Sequence, residues 1–286
     1  MVMGLFTFLA IYPIFWLVMQ SFKTTTEYME GIRLPLSQIA ELSAFDRAGY
    51  FMRILLSFPR DWYTQNYPFV WEVGKFGTLL LNSVFYTTLT VAFVVVLSLM
   101  AGFAFSKMDF KITMLLHGLF IIGILLTLQS ILVPLFLMVQ KVGLFNTRLG
   151  VLIPYIGLGL PMGVYLCTEF VKSIPNELVE SARMDGSGYL RTFFVIILPM
   201  CVPVMATLGI ITFTGTWNEF IIVNILTASD TVRTIPVGVA RFAGALATDF
   251  GRQFTGLVIG LIPILIFYGI FRRQITRGVA AGAVKG

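Results

Sequence analysis

Residues 78–105 read TLLLNSVFYTTLTVAFVVVLSLMAGFAF, 28 residues without one charged side chain. A helix crosses the roughly 30 Å hydrocarbon core of a bilayer with about 20 apolar residues, so this stretch is long enough to span. Comparable apolar runs occur at residues 2–19, 112–139, 149–170, 195–225 and 254–271, with the polar sequence collected between them. The chain is 57% hydrophobic and 12% charged, with mean hydropathy +0.89. A soluble domain carries about 25% charged residues, so most of this surface faces something other than water. The sequence therefore reads as an all-α integral membrane protein with six transmembrane helices, a single unit over residues 1–286.

Prolines interrupt several runs: Pro13, Pro134, Pro154, Pro161, Pro203 and Pro263. Neighbouring helices satisfy the carbonyls a proline frees, so kinks are tolerated. Gly256 and Gly260 form a GxxxG pair that allows close helix packing. The first run lacks a basic leader and a small-x-small cleavage site, so it reads as a retained span rather than a signal peptide. The cytoplasmic lead expected before it is missing, which leaves room for a longer native amino terminus. Six spans put both termini on one side, and the density of basic residues in the loops places that side in the cytoplasm. The net charge of +6 is then a topological signal; no Lys/Arg run is long enough for a nucleic-acid patch. Cys167 and Cys201 lie in or beside apolar sequence and read as small buried residues.

Residues 20–77 form a long, polar extracytoplasmic loop containing Trp62, Tyr63, Tyr67 and Trp71. These aromatics suit the headgroup level of a membrane, and they suit equally a docking surface for an external partner. Residues 171–194, on the cytoplasmic side, have a helical grammar of their own. Pro175 suits a first helical position, and Glu177 and Glu180 follow where the helix dipole favours acidic groups. Gly186, after Asp185, is a stop signal, and Ser187 is placed to cap a second helix. Ile174, Leu178 and Ala182 recur every fourth residue, as one apolar face. A simple connector needs neither the stripe nor the turn. The segment looks built to enter a groove in a partner.

At this point the residues resemble a known family. Glu180-Ser181-Ala182, then Gly186, then Ile196-x-Leu198-Pro199 reproduces the EAA motif of ABC-importer permeases, with Ser181 in place of the first alanine. Ser21-Phe22-Lys23, Gly143-Leu144-Phe145-Asn146-Thr147, Ile153-Pro154-Tyr155 and Trp217-Asn218-Glu219-Phe220 resemble segments of carbohydrate-importer permeases. The chain is identified on these motifs as similar to the binding-protein-dependent, MalG-type permeases of carbohydrate uptake. That resemblance implies the type I importer fold with a cytoplasmic EAA coupling loop, in an inner cell membrane. It implies a second homologous permease, two ATPase subunits and an extracytoplasmic solute-binding protein as partners, beside membrane lipid. Glu177, Glu180, Ser181, Ala182, Asp185 and Gly186 would form the ATPase-coupling interface. The tail, residues 272–286, would reach the ATPase through Gly282, Lys285 and Gly286. No cofactor is expected on this chain, ATP and magnesium belonging to the partner subunits, and the sugar and its contact residues are left open.

A secondary transporter or channel is the alternative. It would be marked by ionisable residues at membrane depth, and the candidates are His117, Glu169 and Glu219, with Asn82, Gln129 and Asn218 facing a path or bonding neighbouring helices. An enzyme would need a catalytic pair, and the sequence offers no His/Glu or Asp/Asp constellation. Gly74-Lys75 is the only Gly-Lys pair; it lacks the preceding glycine and following Ser/Thr of a phosphate loop.

Overall fold

In the computed structural model, residues 2–31, 36–108, 110–244 and 248–283 are described. They run through α1 (Val2–Ser21), α2 (Thr25–Gly31), α3 (Leu36–Glu41), α4 (Ala44–Leu55), α5 (Asn66–Glu72), α6 (Phe76–Lys107), α7 (Thr113–Leu125) and α8 (Leu128–Lys141). There follow α9 (Arg148–Lys172), α10 (Asn176–Met184), α11 (Tyr189–Thr192), a π turn (Phe193–Ile197), α12 (Leu198–Met200), α13 (Val202–Trp217), α14 (Ile221–Leu226), α15 (Ile235–Arg241) and α16 (Phe250–Ala283). Among the described residues the only strand-like pairing is an isolated bridge between Ala243 and Thr248.

By length and composition α6, α9 and the Phe250–Arg272 stretch of α16 can each cross a membrane. Thr113–Leu125 with Leu128–Lys141, and Tyr189–Met200 with Val202–Trp217, qualify only as pairs, bent by 107° and 75°. The described residues thus carry three spans, or five if each bent pair is one, where the sequence predicts six. In α1 the stretch Phe6–Ser21 is apolar but shorter than the others.

The two bends correct the reading of residues 112–139 and 195–225 as continuous runs. The first break falls at Leu126 and Thr127, whose ψ values of 119° and 141° are extended. Thr127 is a hydroxyl residue with a stiff β-branched side chain, a type that favours the position ahead of a helix over its interior. Its Oγ1 lies 2.7 Å from Ser130 Oγ. Pro134 sits undisturbed inside α8, so the proline did not mark the break. In the second run the prolines do the work. Pro199 and Pro203 remove the helical donors for the Val195 and Pro199 carbonyls. The helix widens into the π turn and bends at Cys201, where φ is −86° and ψ 2°.

The chain divides into two compact units, residues 1–80 with 234–266 and residues 81–233 with 267–286. In the first, the last carbonyls of α1 find donors from distant sequence. Asn66 Nδ2 donates to the Ser21 and Lys23 carbonyls, both at 2.9 Å, and Thr255 Oγ1 donates to Ser21 at 3.1 Å. Gly256 faces Phe76 and Val239, and Gly260 faces Ile235, so the GxxxG pair does serve close packing. Lys23 is buried, its Nζ donating to the Ser57 carbonyl at 3.0 Å and to Ser57 Oγ at 2.8 Å. Burial pushes its pKa below the usual lysine value; Glu27 opposes this and Arg60 adds to it.

The second unit is built on a seam of small residues between α6 and α9. Gly102 faces Cys167 and Thr168, Gly159 faces Val94, and Gly163 faces Ser98. Around that seam Leu99, Phe103, Val171, Phe193, Ile197 and Leu208 form an apolar core that includes both cysteines. Both are free and buried, as their sequence context predicts.

Candidate functional site

The segment after α9 is a helix, a tight turn and a second helix. Pro175 stands ahead of α10 as its N-cap, with φ −56° and ψ 138°, rather than inside the first turn. Glu177 lies in the first turn and Asp185 is the C-cap. Gly186 then takes φ +77°. Its N–H donates to the Arg183 carbonyl at 3.0 Å, and the Ser187 N–H donates to Ala182 at 2.9 Å. This pair of bonds is the Schellman closure, which needs a left-handed residue after the C-cap. Ser187 is consumed in the closure, so Gly188 and not Ser187 precedes α11.

The inner face of this segment differs from the predicted stripe. Ile174, Val179 and Ala182 are buried, whereas Leu178 is 40% exposed. Ile174 lies before the helix begins, so a four-residue spacing carries no helical phase across Pro175. Val179 and Ala182, three apart within the helix, make the real inner face. Glu177, Leu178, Glu180, Ser181 and Asp185 all point outward, beside the exposed Met184. Arg183 lies over the Tyr189 ring at 5.0 Å, and Glu180 has no ion pair or hydrogen bond among the described residues.

A lysine that in sequence reads only as a topological charge anchors this projection. Lys107, the last residue of α6, donates from Nζ to the Ile174 carbonyl at 2.5 Å and to Asn176 Oδ1 at 2.6 Å. Ser106 Oγ donates to the Thr168 carbonyl at 3.0 Å. The carboxyl end of one apolar helix thus fixes the point where α10 leaves the core. In the tail, α16 continues through Gly282 to Ala283; Lys285 and Gly286 lie outside the described residues.

Elsewhere in the same unit a cavity of about 360 Å³ lies between α9 and α13, walled by Leu158, Met162, Leu208 and Ile211 and edged by Tyr155, Thr212, Thr216 and Glu219. Glu219 organises one side of it. Its carboxylate accepts from Tyr155 OH at 2.8 Å, from the Ile222 N–H at 2.8 Å and from the Val223 N–H at 3.4 Å. The last two are orphan donors in the first turn of α14. The Trp217-Asn218-Glu219-Phe220 signature therefore ends one helix and starts the next, and its carboxylate retains capacity for one further hydroxyl donor. Replacing Glu219 by alanine leaves a buried phenol and two backbone donors unpaired, at about 1–3 kcal/mol per unsatisfied group. A clear fall in melting temperature is expected for Glu219→Ala in detergent, with Glu219→Gln recovering most of it. Equal melting of wild type and Glu219→Ala would refute the capping role.

Asn82, left open between a path and helix packing, bonds the neighbouring helix α9 and the segment before α15. Its Nδ2 donates to the Thr231 and Arg233 carbonyls at 2.9 and 3.0 Å, and its Oδ1 accepts from Arg148 at 3.2 Å. Asn146, at φ 58°, accepts from the Ala228 and Ser229 N–H groups, each at 2.9 Å. Together with Tyr86 OH on the Val232 carbonyl at 2.9 Å, they pin residues 228–233 to the helices. Gln129 and Asn218 are exposed. His117 is half-buried, edge-on to Phe105 at 5.7 Å, and Glu169 pairs with Lys172 at 2.7 Å.

The long apolar helices mark a multi-pass membrane protein, from which the Schellman-closed α10 projects. Residues 73–280 match the family described as binding-protein-dependent transport system inner membrane component, and the chain belongs to it. It is 33% identical over 284 residues to a putative ABC transporter permease protein, ORF2, of Caldicellulosiruptor sp. (strain Rt8B.4), covering 99% of this chain and 95% of that one. It is 30% identical over 279 residues to the trehalose transport system permease protein SugB of Mycobacterium tuberculosis, covering 97% and 93%. Its fold matches a chain in the crystal structure of a bacterial ABC transporter involved in the import of the acidic polysaccharide alginate. There the TM-score is 0.74 and the identity 21%, over 95% of this chain and 93% of that one.

Proposed function

We propose that this chain is the permease subunit of an ATP-driven importer that carries a sugar into the cytoplasm. In this reading it crosses the inner membrane six times, α1 and the two bent pairs included, with both termini cytoplasmic. A second, homologous permease completes the path, two ATPase subunits hydrolyse ATP with magnesium, and a solute-binding protein delivers the sugar from outside. This chain binds no cofactor and performs no catalysis. The outward face of α10, from Glu177 to Gly186, enters the ATPase subunits, and the tail from Gly282 through Lys285 and Gly286 follows it.

The observation that carries the reading is the geometry of α10: an inner face fixed in the core and an outer face of exposed acidic, small and apolar side chains. A motion in an ATPase shifts the membrane helices only through contacts that differ between states, and a rigidly based projection is the part able to transmit it. The test is reconstitution of the permease pair in liposomes with and without ATPase subunits. Uptake of labelled sugar is expected only with ATPase, ATP and binding protein together; uptake by the permeases alone would favour a secondary transporter.

Glu180 offers a narrower test. An exposed pair with Arg183, three residues on, would contribute only about 0.2–0.5 kcal/mol, and Arg183 is engaged with Tyr189 instead. Truncating one partner of a buried interfacial charge contact costs about 2–5 kcal/mol. Glu180→Ala is therefore expected to leave the isolated permease unchanged and to weaken ATPase co-purification strongly. Undiminished co-purification would remove Glu180 from the interface.

A further inference from the structure

The segment between α1 and α6 contains a helix, α4, whose apolar side is exposed among the described residues. α4 begins in polar fashion: Ser43 Oγ accepts from the Asp46 N–H at 3.1 Å, and Arg47 donates to the Ala40 and Leu42 carbonyls. At about 100° per residue, Phe45, Phe51, Met52, Leu55 and Leu56 fall within an arc of about 140°, with Asp46 and Arg53 opposite. Those five apolar side chains are all exposed, Phe45 at 87% and Leu55, the least, at 46%. The flank that meets the protein is a different one, carrying the half-buried Tyr50 and Ile54.

What covers that face follows from where the helix ends. The contacts of Lys23 with Gly251 and of Ser21 with Thr255 run α1 antiparallel to the first part of α16, whose Phe250–Arg272 stretch is apolar enough to cross a membrane. Tyr12 lies nine residues, about 13 Å, back along α1 from Ser21. Tyr12 OH donates to the Leu55 carbonyl, and Trp16 Nε1 donates to the Ile54 carbonyl at 3.4 Å. Gln20 Nε2 then reaches the Ser57 carbonyl at 3.3 Å. A helix end in water leaves its last carbonyls to solvent. Here three polar side chains, spaced four apart on an otherwise apolar helix, are committed to that end, as backbone below the water level requires. The exposed apolar face is also continuous with that of α1, through the 6.2 Å edge contact of Phe15 with Phe58 and the exposed Phe8 and Ile11.

We propose that α4 is a re-entrant amphipathic anchor, lying in the leaflet at the carboxyl end of α1 with its apolar face on phospholipid acyl chains. Its polar side, with Asp46 and Arg53, then faces the headgroups, the arrangement of an interfacial helix. The anchor fixes the segment before α6 at a set depth in the membrane.

Spin labels on single cysteines test this in the full chain in phospholipid nanodiscs, with Cys167 and Cys201 left in place because both are buried. Labels at Phe45→Cys, Phe51→Cys and Met52→Cys are expected to collide several-fold more with oxygen, which partitions into lipid, than with an aqueous nickel chelate. Asp46→Cys and Arg53→Cys should show the reverse. Dominant nickel collisions at all five positions would place the helix in water and overturn the proposal. Exclusion of both reagents at positions 45, 51 and 52 would overturn it equally, by showing a protein on that face.

Discussion

A side chain at Gly102 is expected to remove most folded permease from the membrane. A Cβ built there meets the Cys167 backbone carbon at 2.8 Å and the Thr168 nitrogen at 2.9 Å. Both are main-chain atoms of α9, so no rotamer change relieves the overlap; α6 and α9 have to separate. Two opposing magnitudes decide the sign. Alanine is favoured over glycine in a helix interior by about 1 kcal/mol, whereas overpacking a tight core costs about 1–3 kcal/mol and sometimes more. Because the seam also carries Gly159 against Val94 and Gly163 against Ser98, separation at one point loosens the rest, and the packing loss wins. Gly102→Ala should melt clearly below wild type, and Gly102→Val should fail to accumulate. Gly118→Ala on α7 is the matched control: nothing lies within 4 Å of that Cβ, so only the helix preference acts and stability should hold or rise. A Gly102→Val chain as abundant and as stable as wild type would show that α6 and α9 are not in this contact.

How much of this was legible in advance depends on which physical signal each element leaves. The apolar lengths of α6, α9 and α16 are set by the bilayer, and length survives as plain composition. The break at Thr127 is a matter of two ψ angles inside a run that is apolar on both sides, and composition does not register it. The bend at Cys201 was visible in Pro199 and Pro203, yet a proline alone does not distinguish a kink from a 75° turn. On α10, Gly186 and the acidic first turn were readable because capping is local chemistry. Leu178 was misassigned because periodicity was carried across Pro175, where the helix had not yet begun.

The residues whose roles the sequence left open share another property. Lys107, Asn82 and Asn146 act through partners 66 to 151 positions away: Ile174 and Asn176 lie 67 and 69 residues from Lys107. Asn82 reaches Arg233 across 151, and Asn146 reaches Ser229 across 83. Nothing in the neighbourhood of such a residue separates a clamp on backbone carbonyls from a solvated side chain. Glu219 was recognisable as part of a signature, but its hold on Tyr155, 64 residues earlier, became explicit only once α9 and α13 were side by side. Long-range polar positioning is thus the part of this site that only the folded chain displays.

The other large effect is expected at Gly186, where valine should leave the membrane helices intact and abolish ATP-driven uptake. The reason is conformational and not steric, since a Cβ at this position meets nothing within 4 Å. At φ +77° a β-branched residue is strained by about 1–3 kcal/mol, and the alternative is to abandon the Schellman closure. That frees the Ala182 and Arg183 carbonyls and lets α10 unwind or re-aim from its carboxyl end, where Glu180, Ser181 and Asp185 stand. Its base, held by Lys107 and the buried Val179, remains. Gly188 supplies the internal control, lying two residues on in the same turn with equally open space around its Cβ. Its φ of −75° is ordinary for any residue, so Gly188→Ala should transport normally. In reconstituted vesicles the Gly186→Val complex is expected to show ATP hydrolysis no longer stimulated by loaded binding protein. If Gly186→Val and Gly188→Ala gave the same sugar uptake as wild type, the orientation of α10 would have no part in coupling.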